Sequence, residues 1–157
     1  MQAARDMSPE DRQEMIRGIV QRLADRLKKN PDDAAGWQRL ARARSVLGDK
    51  EAAKDALSKV AHLRPKDINA QLAYADAIVD AAAPEPPPTA KLKPVVERIL
   101  ARDDRHPRGL WLSGALALSA GDGKTAKRQW TRLLEYVDPD SPQYVELKKQ
   151  IDAIPAD

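Results

Sequence analysis

At 157 residues with 42% hydrophobic content, the chain is long enough for one domain that buries roughly 70% of the surface its unfolded form exposes. Cys and Phe are absent and aromatics reach only 4%, which excludes disulfides, thiolate catalysis and Cys-ligated metals and leaves Ala and Leu to build a helical core. The 27 basic and 24 acidic residues are interleaved, so the net charge of +3 is a small excess over a balanced surface and argues against nucleic-acid binding.

The start MQAARDMSPED has no signal-peptide pattern, and no apolar run approaches the roughly 18 residues of a membrane span. Residues 1–7 are expected to be a disordered or expression-derived tail. Ser8-Pro9-Glu10-Asp11 then opens a first helix with a hydroxyl cap, a Pro that needs no N–H partner, and carboxylates at the positive helix end. Ile16, Ile19, Val20, Leu23 and Leu27 fall on its core stripe, and Asn30-Pro31 ends it. This helix reads as an unpaired half hairpin at the head of a repeat array.

The phrase GDKEAAK from Gly48 returns as GDGKTAK from Gly121, an offset of 73. Pro31, Pro65, Asp104 and Asp138 mark intervals of 34, 39 and 34 residues, so the offset is one regular and one lengthened repeat. A 34-residue period of two helices with Gly at their turn predicts an all-α tetratricopeptide (TPR) solenoid. Over residues 8–154 it has three hairpins, at about 33–66, 67–105 and 106–140, then a capping helix at 141–154.

In repeat one, Trp37, Leu40, Ala41 and Leu47 line helix A, and Ala53, Leu57, Val60 and Leu63 line helix B. Repeat two begins near Asp67 with Leu72, Tyr74, Ala75 and Ile78. Its turn is replaced by the stretch Ala81 to Pro94, with a Pro-rich insertion at 84–94 that prolines stiffen toward polyproline II. Its helix B is expected to resume near Pro94, with Val96, Ile99 and Leu100 inward. Repeat three packs Leu110, Gly114 and Ala117, turns at Gly121, and packs Ala126, Trp130, Leu133 and Leu134. Ser141-Pro142 opens the capping helix, with Tyr144, Leu147 and Ile151 on one side.

Titratable residues do not converge on a catalytic set, and the reading is a non-enzyme without cofactor or metal. His62 and His106 lack a spaced ligand partner and lie near repeat corners in surface or capping places. Asp103-Asp104 and Asp138-Pro139-Asp140 are expected to cap the helices after them. Lys124, Lys127, Arg128 and Arg132 read as a solvated outer face. There is no phosphate-binding glycine loop and no nucleophile elbow.

The remaining resource is the concave face, lined by A-helix residues one position off the core stripe. Those are Gln38, Arg42 and Ser45 in repeat one, Asn69, Leu72, Asp76 and Val79 in repeat two, and Arg108, Trp111, Ala115 and Leu118 in repeat three. Trp37 and Trp130 fall on core positions. Trp111, one past Leu110, either anchors a partner helix in the groove or packs against repeat two; the sequence leaves both open.

The leading stretch from SPEDRQEMIRGIV to SVLGD, the interrupted second repeat, RHPRGLWLSGALALSAGD and WTRLLEYVDPDSPQYVELKKQI together resemble the periplasmic TPR domain of the bacterial cytochrome c maturation protein I, the CcmI/CycH type of apocytochrome c chaperone. The resemblance runs over roughly residues 7–154 and is most specific in the leading helix and HPRGLW. It implies a periplasmic module, excised from a membrane-anchored protein, that holds the C-terminal helix of apocytochrome c and presents it to the other maturation subunits of the haem-ligation complex. The alternative is a scaffold subunit of a nitrite-reductase type haem lyase that binds a partner subunit's tail. Direct haem binding would require His62 or His106 as axial ligand. Gln71 stands where the family pattern has Trp, repeat two lacks the turn glycine, and Gln38, Arg42 and Asp76 do not form the carboxylate clamp of other TPR domains.

Overall fold

The computed structural model describes residues 8–155; residues 1–7, the expected tail, lie outside them. Among the described residues there are eight helices and no strand: α1 (Pro9–Lys29), α2 (Ala34–Val46), α3 (Lys50–Leu63), α4 (Ile68–Ala82), α5 (Thr89–Arg102), α6 (Pro107–Ser119), α7 (Gly123–Leu134) and α8 (Pro142–Ala153). None is long and apolar enough to cross a membrane. The chain divides into two compact units, Met1–Arg64 with α1 to α3 and Pro65–Asp157 with α4 to α8.

Capping residues set the helix starts, and they keep the repeat register. Asp33, Asp67 and His106 cap α2, α4 and α6, accepting from the backbone N–H groups of Gly36 at 2.7 Å, Asn69 at 3.0 Å and Gly109 at 3.4 Å. Asp49, Pro88 and Asp122 occupy the same place before α3, α5 and α7. The extra residues of repeat two therefore all precede Pro88.

The GD dipeptides do two jobs. Gly48 and Gly121 adopt φ of 77° and 79°, the left-handed region that closes a helix most cheaply with glycine. The next N–H, from Asp49 or Asp122, reaches back to the carbonyl of Arg44 or Ala117 at 2.9 Å, while the same Asp carboxylates accept from Ala52 at 3.2 Å and Thr125 at 2.9 Å to start the next helix. One aspartate thus ends one helix and begins another.

Three sequence expectations are corrected. The second helix of repeat two starts at Thr89, not near Pro94, and Pro94 lies inside it. Ala90 and Pro94 are both exposed, so water can meet the Ala90 carbonyl that loses its N–H partner. The acidic pairs do not supply the helix caps: Asp103 and Asp138 accept from the N–H groups of Arg105 and Asp140, bending the chain just before the true caps, His106 and Ser141. Asp104 instead takes Arg132 of α7 at 3.1 Å, which removes Arg132 from the set of purely solvated charges. Finally, Ile16 and Ile19 are 40% and 50% exposed. Helix α1 packs on α2 along Val20, Ala24 and Leu27, and Ile16 and Ile19, off that line, stay exposed.

In the second unit the core forms two clusters. Ala75, Ile78, Leu92, Val95, Val96, Ile99 and Leu112 join α4, α5 and α6; Leu110, Ala126, Trp130, Leu133, Leu147 and Ile151 join α6, α7 and α8. Gln71, standing in the place of Trp37 and Leu110, is nonetheless only 1% exposed, with Arg98 Nη1 3.5 Å from its Oε1.

Candidate functional site

Helix α6 presents its apolar residues to opposite sides. Leu110 and Leu112 are fully buried while Trp111 between them is 38% exposed, because a helix turns about 100° per residue and the two core clusters cover α6 on either side of it. The Trp111 backbone is fixed from behind: Trp130 Nε1 donates to its carbonyl at 3.1 Å. The ring is covered in front by Arg108, one turn earlier on the same helix, whose Cζ sits 5.1 Å from the ring centroid, a cation–π distance.

Arg108 is held by Asp76 of α4. Its Nε and Nη2 both donate to Asp76 Oδ1, at 2.9 and 2.7 Å. With the two side chains 38% and 50% exposed, the pair contributes less than about 1 kcal/mol of stability. Its effect is positional: it keeps a guanidinium on one face of the indole.

Two hollows meet at that ring. The larger, about 420 Å³, is walled by Trp111, Leu133 and Val137 and by Pro142, Gln143, Glu146, Leu147 and Gln150. Among the described residues Glu146 is its sole ionisable lining residue. The smaller, about 130 Å³, lies between Trp111, Ala115, Val79 and Leu92, with Pro87 and Thr89 at its edge.

The residues singled out by the offset from the core stripe thus divide. Val79, Trp111 and Ala115 share one hollow, and Asp76 and Arg108 form the clamp beside them. Leu72 packs against the α4–α5–α6 cluster, which puts it among core residues more than groove residues. Asn69 is exposed in the first turn of α4, and Leu118, 44% exposed, lines neither hollow. Gln38, half-buried, and Arg42, exposed, belong to α2 in the other unit.

Sequence reasoning missed the wall from α8, which it treated only as a cap. The signal was present: Gln143, Glu146 and Gln150 each stand one position before Tyr144, Leu147 and Ile151, a one-residue offset of the kind that singles out Trp111. His106 Nδ1 accepts the Gly109 N–H and His62 lies exposed near the end of α3; among the described residues no three acidic or imidazole side chains are placed to share a metal ion. What the site offers is an aromatic ring, aliphatic walls, the Arg108–Asp76 ion pair and the Glu146 carboxylate, an arrangement for holding an apolar side chain and orienting the segment that bears it.

A family model described as the cytochrome c-type biogenesis protein H TPR domain matches residues 1–144. The chain is 51% identical over 65 residues to the cytochrome c-type biogenesis protein CycH of Bradyrhizobium diazoefficiens, a match over 41% of this chain and 18% of that protein. It is 36% identical over 76 residues to CcmH of Escherichia coli, over 48% of this chain and 21% of that protein. The matched stretches therefore span about a fifth of those relatives. Among solved structures, a crystal structure of MamA superposes with a TM-score of 0.61 at 15% identity, over 92% of this chain and 81% of the other. Pseudomonas aeruginosa PilF superposes with 0.60 at 18% identity, over 88% and 60%. At these identities the structural likeness speaks for the helical-repeat fold alone.

Proposed function

The chain belongs to the cytochrome c-type biogenesis protein H TPR domain family, and on that premise we propose that it is a non-enzymatic module that holds the C-terminal helix of apocytochrome c and presents it to the haem-ligation complex. The observation that carries the reading is Trp111: a large ring, half exposed, clamped by Arg108 and Asp76, at the junction of two apolar hollows. An amphipathic helix has the matching form, with large apolar side chains on one face to enter the hollows and polar groups beside them to meet Arg108 and Glu146. The work of such a site is capture and orientation, and covalent haem attachment falls to partner subunits. The proposal places the module in the periplasm, as part of a longer, membrane-anchored protein.

The test is titration of the chain with a peptide of a cytochrome c C-terminal helix and with an unrelated amphipathic helix of equal length and charge. The first binds more tightly, and Trp111→Ala removes the difference. Equal affinities for the two peptides would refute substrate recognition at this site.

A further inference from the structure

Helix α1 carries a second surface that the apocytochrome proposal does not use. Arg22 and Arg26 of α1 and Arg39 of α2 surround Ile19 and Leu23 at a hollow of about 430 Å³. Among the described residues no carboxylate lines it. None of the three arginines pairs with an acidic side chain among the described residues. At 3.6 residues per turn, Met15, Ile16, Ile19, Arg22, Leu23 and Arg26 share roughly one third of the helix circumference. Glu14 and Asp25 lie away from that arc, and Asp25 is engaged with Gln21 and Lys28.

This arrangement works against the helix that bears it. Like charges four residues apart, as Arg22 and Arg26 are, destabilise a helix, and Met15, Ile16 and Ile19 at 39%, 40% and 50% exposure leave apolar surface in water. Both costs vanish if the surface meets its complement. The complement of three guanidinium groups without carboxylate partners, set around an aliphatic floor, is a segment with carboxylates beside a branched aliphatic side chain, because guanidinium and carboxylate match in charge and in planar shape.

We propose that the Arg22–Arg26–Arg39 hollow docks a helical segment of a partner protein that carries two carboxylates one turn apart flanking a Leu or Ile. A flat anionic bilayer would also meet the charges. It would leave the hollow unfilled, however, and the concave shape between α1 and α2 favours an inserted side chain.

The probe is a fluorescein-labelled helical peptide with two Glu at i and i+4 flanking a Leu, together with a twin in which both are Gln, titrated against the full 157-residue chain by anisotropy. The Glu peptide binds, and affinity falls roughly tenfold or more for the Gln twin, for Arg22→Glu combined with Arg26→Glu, and for Arg39→Glu. Trp111→Ala leaves this binding unchanged, which separates the surface from the groove on α6. Circular dichroism confirms that the variants stay helical; Arg39→Glu, on a different helix, serves if the α1 variant does not. Equal affinity for the two peptides, or absent binding of the Glu peptide, overturns the proposal. Arginine-dependent sedimentation with phosphatidylglycerol vesicles in place of peptide binding would assign the surface to a membrane, and an arginine-dependent dimer in sedimentation would assign it to a second copy; either result also overturns it.

Discussion

The indole of Trp130 on α7 fills the space that a side chain on Gly114 of α6 would take: a Cβ at Gly114 would overlap Trp130 Nε1 and Cδ1 and stand 2.8 Å from Cε2. The equivalent positions, Ala41 and Leu57 in repeat one and Ala75 and Val96 in repeat two, carry a residue larger than Gly114 on helix A and one smaller than Trp130 on helix B. Volume is exchanged across the hairpin.

Gly114→Ala therefore destabilises. In an open helix the change would gain up to about 1 kcal/mol in propensity, but here the contact is with a rigid ring, and overpacking costs about 1–3 kcal/mol. Urea denaturation checks the sign: a more stable variant would show that the Trp130 ring can shift.

The two tryptophans of this region separate stability from binding. Trp130→Ala leaves a cavity in the α6–α7–α8 cluster and costs about 3–5 kcal/mol. Trp111→Ala preserves the stability of the fold within about 1 kcal/mol of wild type and weakens peptide binding by more than about 1 kcal/mol. Thermal unfolding of both variants beside the peptide titration makes the comparison; a large fall in Tm for Trp111→Ala would place that ring in the core.

Gln129 Oε1 is buried without a hydrogen-bond partner among the described residues, at the α7 position where α3 has Ala56 and α5 has Val95. Replacing an amide whose oxygen is buried and unsatisfied by an apolar residue of similar size removes that oxygen's desolvation penalty, so Gln129→Leu raises stability by about 1 kcal/mol. Chemical denaturation reads the gain, and a loss of stability would reveal that the amide is hydrated.

Acid should act on the α7 cap. The Thr125 backbone N–H, then the Thr125 hydroxyl, hold the Asp122 carboxyl below its ordinary value, with Arg128 and Lys124 adding to the effect. A carboxyl depressed in the folded state stabilises above the unfolded-state pKa of about 3.9, and that contribution is lost as pH falls through the lower folded value. Asp122→Ala thus lowers Tm around neutral pH, and the difference from wild type closes in acid below about pH 4. Melting curves at several pH values test this; a gap that persists in strong acid would show that the carboxylate charge does not carry the cap.

How far the fold is legible depends on how local each cause is. Capping carboxylates, positive-φ glycines and the 34- and 39-residue intervals act within a turn of the chain, so eight helices and their order follow from the residues alone. Even the start of α5 was available to that logic, since Pro88 stands 39 residues after Asp49 and 34 before Asp122; the prolines of the insertion hid it, because Pro94 reads as a helix boundary when its exposed position is unknown.

The candidate site was legible only as a set of positions. The one-residue offset singles out Asp76, Val79, Arg108, Trp111 and Ala115, but it treats Leu72 and Leu118 identically. By itself the sequence determined the repeat register and the turn chemistry, both products of bonds between residues a few positions apart. Only the tertiary structure decided that Trp111 stays half exposed, that Arg108 lies on its ring because Asp76 holds it there, that α8 walls the hollow, and that Ile19 goes uncovered. Each of these depends on which neighbouring helix reaches a given face, and helix periodicity specifies the face without naming what will cover it.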